Sequence, residues 1–140
     1  MYWHQLTINK GKKSLLGRIS EITSNPKDYI QFIGLRNHQI SPEGVPCTEQ
    51  VYVHSKIMLV DDRIAIIGSA NINDRSMNGD RDSELCMVIE DTTKVESVMN
   101  GKKYSANEFC YNLRVKAMCS IFDCPAEKVI DPLDQHMWNW

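Results

Sequence analysis

The chain has few of the features that cross-link small domains or anchor a protein in a membrane. Its five cysteines, at positions 47, 86, 110, 119 and 124, include no C-x-x-C pair, which argues against a disulfide scaffold and a zinc site. No apolar run approaches the roughly 18 residues of a membrane span, and the opening M-Y-W-H-Q-L-T-I lacks the apolar region of a secretory signal. These absences predict a soluble, cytoplasmic protein whose thiols stay reduced.

An excess of charge of one sign is also missing. The 16 basic and 18 acidic residues give a net charge of −2, so no overall field attracts nucleic acid, and we expect no nucleic-acid partner. With 140 residues, of which 42% are hydrophobic, the chain can build one domain with a core but hardly two. We therefore expect residues 1–140 to form a single domain.

The first third of the chain predicts a helix followed by a strand. Leu15, Leu16, Ile19 and Ile22 fall at helical spacing, which predicts a helix over residues 14–22 that ends before Asn25-Pro26. Residues 28–35 (D-Y-I-Q-F-I-G-L) are typical of a short strand. Residues 36–50, with S-P-E-G-V-P, are predicted to be a loop.

The middle of the chain predicts a β-hairpin and a further strand. Residues 51–60 and 64–67 have strand composition, and Asp61-Asp62-Arg63 supplies turn residues between them. Residues 68–82 are dense in small, polar residues, which indicates an irregular segment with room for a short helical turn. Residues 83–90 are predicted to return as a strand.

A helix is predicted near the end of the chain. Ser105-Ala-Asn-Glu108 has the pattern of a capping box, so the helix should begin near Ala106. Its apolar stripe is predicted to comprise Phe109, Leu113, Ala117 and Ile121, and Asp123-Cys124-Pro125 should stop it. The order of elements predicts an α/β fold, a mixed β-sheet flanked by helices.

The strand over residues 51–60 carries two polar side chains that are costly to bury. His54 and Lys56 are two residues apart and so project from one face of a strand. Ser69 and Asn71 repeat this spacing after the partner strand, so the hairpin should bring the four groups together. Lysine and asparagine donate to phosphate oxygens, serine adds a donor, and histidine can attack phosphorus or move a proton. The alternatives are a solvated hairpin edge for the first pair and a simple turn for the second.

Three carboxylates are candidates for supporting roles. A histidine nucleophile needs one ring nitrogen held by an acceptor, and Glu84 is the best candidate for that role. Asp82 has the same strand parity and is the competing candidate. Asp61 lies at an odd offset from His54, beyond the end of the strand, which favours a structural role in the turn.

The motif at this hairpin resembles that of a known family. H-S-K-I-M-L-V-D, residues 54–61, matches the H-x-K-x(4)-D signature of the phospholipase D superfamily, and residues 66–84 resemble the second signature half of its eukaryotic phosphatidylcholine-cleaving members. The resemblance implies one half of a pseudo-twofold fold. It implies His54, Lys56 and Asp61 as the catalytic motif, with Asp61 mainly structural. Lys56, Ser69 and Asn71 would bind the substrate phosphate, and Glu84 would orient His54.

The resemblance also implies a reaction and a location. The expected enzyme is a phospholipase D, which hydrolyses phosphatidylcholine to phosphatidic acid and choline through a phosphohistidine. That chemistry needs no metal or other cofactor, while regulation by calcium or phosphoinositides stays open. The substrate implies peripheral association with a membrane surface.

One feature of the family pattern is absent from the sequence. The family builds its site from two motifs, whereas this chain has one, and His4, His38 and His136 do not stand in H-x-K. We therefore expect a C-terminal catalytic half, with the missing first-motif half or a homodimer mate as its partner. The alternatives are a homodimeric single-motif phosphodiesterase or nuclease, and a catalytically inactive phospholipid-binding fragment.

Overall fold

The computed structural model describes residues 2–138, so residues 1, 139 and 140 of the predicted domain lie outside the described part. The chain divides into two compact units, Met1–Arg36 and Asn37–Trp140. The second unit contains the predicted hairpin and the motif residues.

The first unit contains two short helices, α1 (Tyr2–Ile8) and α2 (Leu15–Ile19), and a 3-10 helix at Pro26–Asp28. The buried Ser14 caps α2, because its hydroxyl accepts the N–H of Gly17 at 3.1 Å. The predicted helix over residues 14–22 is therefore present, but it ends three residues early.

The prediction of a strand over residues 28–35 is wrong. Residues 29–35 belong to no helix or strand, and Tyr29 and Phe32 are 74% and 52% exposed. A strand becomes stable only when a partner supplies its hydrogen bonds and a surface covers its apolar face. Local composition does not reveal whether either exists.

The prediction of a loop over residues 36–50 is also wrong. This segment forms a two-stranded sheet of β1 (Arg36–Ile40) and β2 (Pro46–Gln50). The N–H of Ser41 donates to the carbonyl of Val45 at 2.9 Å, and Gly44 takes the positive φ of 81° that the turn requires. All residues of both strands are exposed, so burial leaves no periodic signal in this sequence.

The hairpin predicted around residues 61–63 is confirmed. Strands β3 (Lys56–Val60) and β4 (Ile64–Gly68) pair antiparallel, and β5 (Cys86–Ile89) adds to β4 in the order β3-β4-β5. Asp61 and Asp62 have φ of 51° and 50° at the turn, a backbone region that aspartate tolerates better than most residues. The strands predicted over residues 51–60 and 83–90 are both too long: β3 begins only at Lys56 and β5 covers only Cys86–Ile89, because the ladder pairing with β4 extends no further.

The segment between β4 and β5 contains one short helix, α3 (Asp74–Met77), as the sequence allowed. A second hairpin, β6 (Lys94–Met99) with β7 (Lys102–Asn107), was not predicted. It leads directly into the longest helix, α4 (Glu108–Phe122).

The capping box predicted at Ser105 is wrong, because Ser105 and Ala106 pair with Glu96 and Val95 in the β6–β7 sheet. Helix α4 starts two residues later, with Asn107 at its N-cap, and it ends at Asp123 in a left-handed conformation. The predicted stop is confirmed.

The buried face of α4 differs from the predicted stripe by one position. Cys110, Arg114 and Met118 are buried, whereas Phe109 and Ile121 are 42% and 40% exposed. The shift arises because a buried arginine occupies the centre of this face. The spacing of hydrophobic residues alone cannot predict a buried charged residue. Met118 packs in a core with Val129 and Met137, and this core is completed by partly buried residues: Val115, Cys119, Phe122, Cys124 and Trp138.

The architecture is mixed α/β, as predicted. The sheet β3-β4-β5 leaves apolar side chains exposed on both faces: Ile57 and Met87 on one, Met58 and Val88 on the other, at 47–62%. Within residues 2–138, no helix has the length and apolar character needed to cross a bilayer.

Candidate active site

A cavity of about 550 Å³ opens where β3 begins and β4 ends. Three of the predicted site residues, His54, Lys56 and Ser69, line it together. The remaining lining residues come from the ends of β4 and β5: Ile67, Gly68, Leu85, Cys86 and Met87. The convergence of an imidazole, an ammonium and a hydroxyl, which the motif predicts, is therefore present around one cavity.

Ser69 reaches this cavity because the strand does not continue through it. Lys56 pairs with Gly68, so a regular extension of the ladder would direct Ser69 to the opposite face. The chain instead bends at Ser69, and its N–H donates to the carbonyl of Leu85 at 3.0 Å. The bend at the end of β4 thus brings the serine to the same cavity as the lysine.

His54 lies two residues before β3 and is exposed. Its ring stacks on that of Tyr52, with 6.2 Å between ring centroids and 24° between planes. The Lys56 ammonium donates to the His54 carbonyl at 2.7 Å. An ammonium has three donors, so this bond leaves two for an anion in the cavity.

A carboxylate holds the hydroxyl of Ser69. Ser69 Oγ donates to Glu84 Oε2 at 2.5 Å and accepts the N–H of Leu85 at 3.0 Å. The other carboxylate oxygen, Oε1, accepts from Ser76 Oγ at 2.5 Å. Ser76 Oγ in turn accepts the N–H of Asn71 at 3.1 Å. Glu84 therefore fixes the loop after β4 through hydrogen bonds to both of its carboxylate oxygens, a hydrogen-bonded clamp on Ser69 and Ser76.

These contacts favour the ionised form of Glu84. The hydrogen bond from Ser69, and next the one from Ser76, lowers the pKa of the Glu84 carboxyl below its ordinary value. Burial and Asp82 act in the opposite direction, while the positive charge of Lys56 adds to the lowering. A negative carboxylate thus stands behind the serine.

The other predicted site residues lie away from the cavity lining. Asn71 is exposed and bonds to the loop through its backbone N–H. Asp82 forms an ion pair with Arg75 at 3.0 Å. Asp61 lies in the turn at the far end of β3 from Lys56, where its carbonyl accepts the Tyr104 hydroxyl at 2.6 Å, in agreement with the turn role predicted for it.

Several residues of this region were not predicted from the sequence. Leu85 and Cys86, which also line the cavity, lie beyond residues 66–84, the segment that carries the family resemblance. The stacking of Tyr52 on His54 was detectable, since V-Y-V-H-S-K alternates and places the tyrosine two residues before the histidine. Across residues 2–138, no group of three His, Cys, Asp or Glu side chains is arranged to hold a metal ion.

The fold and the cavity define a mixed α/β protein whose basic and hydroxyl side chains meet at the end of a hairpin. The family model described as Phospholipase D matches residues 45–113, the segment that contains all of these groups.

Curated relatives extend the similarity to nearly the whole chain. The chain is 45% identical to phospholipase D of Phytophthora infestans and 44% identical to phospholipase D1 of Homo sapiens, with 99% of this chain covered in each case. It is 51% identical to phospholipase D zeta 1 of Arabidopsis thaliana, again over 99% of its length. The chain belongs to the phospholipase D family. It spans only 8% of the first of these relatives and 13% of the other two.

Proposed function

We propose that this chain supplies one catalytic half of a phospholipase D-type phosphodiesterase, which hydrolyses phosphatidylcholine to phosphatidic acid and choline. The observation that carries the proposal is the shared cavity of His54, Lys56 and Ser69 in a chain of the phospholipase D family. An ammonium and a hydroxyl offer donors to the non-bridging phosphate oxygens, and the imidazole supplies a nucleophile or an acid.

The proposed reaction has two displacements at phosphorus. A histidine nitrogen attacks, the bond to the choline oxygen breaks, and a second histidine protonates that oxygen. The resulting phosphohistidine carries the phosphatidyl group. Water then attacks phosphorus, loses a proton to the second histidine, and releases phosphatidic acid with a free imidazole. His54 takes one of these two roles.

One imidazole cannot serve as nucleophile and acid in the same step, so the complete site needs a second one. We propose that it comes from a first-motif half or from a second copy of this chain. The exposed apolar side chains of Met58 and Val88, on one face of the sheet that carries the cavity, support a partner that covers this face.

Glu84 is proposed to orient His54 as well as Ser69. Its two oxygens already accept from Ser69 and Ser76, and each carboxylate oxygen can accept a further hydrogen bond. Asn71 is proposed to join the phosphate contacts once substrate is bound. The reaction as written needs no metal, and we expect it at the surface of a membrane.

The test uses transphosphatidylation, since a primary alcohol can replace water in the second step. The chain, alone and mixed with the first-motif half of a relative, is incubated with phosphatidylcholine vesicles and ethanol. Phosphatidylethanol should form in the mixture, and His54→Ala should abolish it. The exposed His136 lies outside the cavity lining, so His136→Ala is the matched control.

The outcomes separate the candidate functions. Equal product from wild type and His54→Ala would overturn the proposal. Product from the chain alone, with a stable dimer in solution, would identify a second copy as the partner. Vesicle binding without phosphatidylethanol or phosphohistidine in any mixture would favour a phospholipid-binding fragment.

A further inference from the structure

Three residues form one row across the sheet that borders the cavity. Lys56 pairs with Gly68, and Gly68 pairs with Cys86. Directly paired residues lie on the same face of a sheet. With a strand spacing of about 4.8 Å, the Cα atoms of Lys56 and Cys86 are roughly 10 Å apart. Lys56 and Cys86 thus stand on either side of a residue that has no side chain.

The glycine leaves a space that Cys86 partly occupies. A Cβ atom added at Gly68 would lie 2.6 Å from the Cβ of Cys86 and 2.5 Å from the carbonyl oxygen of Leu85. Because Cys86 already lies this close over Gly68, its side chain forms the boundary of the cavity opposite Lys56. The thiol is free and the residue is exposed, so the boundary is accessible.

The two sides of the row differ in chemistry. Lys56, His54 and Ser69 supply the cation and the polar donors, whereas the lining residues contributed by β5 and the residue before it, Leu85, Cys86 and Met87, are apolar. An anionic phosphate group belongs beside the ammonium. One of the two esterified organic substituents then extends towards the apolar side.

We infer that Cys86 is a specificity-determining residue, the wall against which one of the two organic substituents of the phosphodiester lies, and that its small size admits that substituent. This inference rests on the proposed function, because it takes the cavity beside Lys56 as the phosphate site. A larger residue at position 86 would project into the space that the substituent needs, while the phosphate position beside Lys56 would stay open.

The first experiment measures how fast Cys86 reacts with a maleimide, whose carbon–carbon double bond takes up the thiol to form a thioether. Saturating dihexanoylphosphatidylcholine, kept below its micelle concentration, should slow this reaction at least about fivefold, whereas inorganic phosphate should slow it less. The exposed Cys47, in β2, is the internal control and should keep its rate with both probes. Mass spectrometry of the peptides assigns each rate to its cysteine.

The second experiment compares Cys86→Leu with the control Cys47→Leu. Binding of both probes is followed by the NMR signals of the His54 ring. Cys86→Leu should weaken binding of the diester roughly tenfold, as expected for an overpacked contact, and leave that of inorganic phosphate within about twofold. Cys47→Leu should change neither.

The outcomes distinguish the inference from the function on which it rests. Suppose that both probes shift the His54 signals, but the diester does not slow the reaction of Cys86 and Cys86→Leu binds the diester as tightly as wild type. Cys86 is then not the wall, and the phosphate site stands. If neither probe shifts His54 at saturating concentration, the proposed phosphate site fails and the inference fails with it.

Discussion

Arg114 and Asp62 form a bidentate ion pair in the interior of the second unit. Arg114 Nε donates to Asp62 Oδ1 at 2.7 Å, and Nη2 donates to Oδ2 at 2.8 Å. The same guanidinium donates to the carbonyls of Val129 and Ile130. Since Asp62 lies in the turn between β3 and β4, this pair joins the hairpin that carries the motif to helix α4 and to the segment that follows it.

Removal of Arg114 should strongly destabilise the protein. Arg114→Ala leaves the Asp62 carboxylate buried without its partner, and we expect a loss of about 3–5 kcal/mol in the free energy of unfolding. Urea denaturation measures this loss. Arg75→Ala, which breaks the exposed pair with Asp82, is the control and should change little. Equal losses from the two variants would show that the buried pair stabilises the protein no more than the exposed pair does.

The hydroxyls of Ser69 and Ser76 should control the ionisation of Glu84. Ser69→Ala and Ser76→Ala each remove a donor to the carboxylate, so the pKa of Glu84 should rise in both variants. The rise should be larger for Ser69→Ala, because its hydrogen bond is the largest cause of the lowering. NMR titration of the Glu84 side-chain carbonyl measures the pKa, with Ser83→Ala as the control. An unchanged pKa in both variants would contradict the hydrogen-bonded clamp.

Asp131 should make stability depend on acid pH. Burial by itself raises the pKa of the carboxyl, but the N–H groups of Gly101, Asn100 and Leu133 outweigh it, and the pKa is lowered from its ordinary value of 3.8. A lowered folded pKa gives stability that is present above 3.8 and is lost as the pH falls through the folded value. Asp131→Asn should cost about 1–3 kcal/mol at pH 7, and the difference should shrink below pH 3.8.

Urea unfolding of both chains at several pH values measures this dependence. Asp80→Asn, in an exposed loop, is the control and should not change the shape of the pH profile. A difference between wild type and Asp131→Asn that stays constant down to the lowest pH would contradict the role given to the ionised carboxylate.

A side chain at position 68, between Lys56 and Cys86, should destabilise the protein. Gly68→Ala would place its Cβ against the Leu85 carbonyl and the Cys86 side chain, so we expect a loss of about 1–3 kcal/mol and faster amide exchange in β5. Gly34→Ala is the matched control, because nothing lies within 4 Å of the Cβ position there. Equal stability of the two variants would show that β4 and β5 separate without cost.

The hairpin that carries the motif could be predicted because its signals are local. Asp61 and Asp62 tolerate the positive φ of the turn, and the apolar runs on each side supply strand residues that a short connection pairs. The exposed strands β1 and β2 and the second hairpin were missed, because their residues do not alternate between apolar and polar side chains. Pairing with a neighbour, rather than composition, makes them strands.

The candidate site was only partly predictable for a related reason. The spacing of His54 and Lys56 indicates a shared direction, and both line the cavity with Ser69. Glu84, however, bonds to the two serines, and the Cys86 wall becomes visible only when the register of β4 and β5 is known.

The sequence by itself indicated the family, the turn and the spacing of His54 and Lys56, because these depend on side-chain chemistry at fixed separations along the chain. The tertiary structure alone decided that Ser69 bends into the cavity, that α4 buries Arg114 instead of its apolar stripe, and that Cys86 faces Lys56 across Gly68. Each of these depends on contacts between segments distant in sequence, and their free energies outweigh the local preferences that a sequence pattern records.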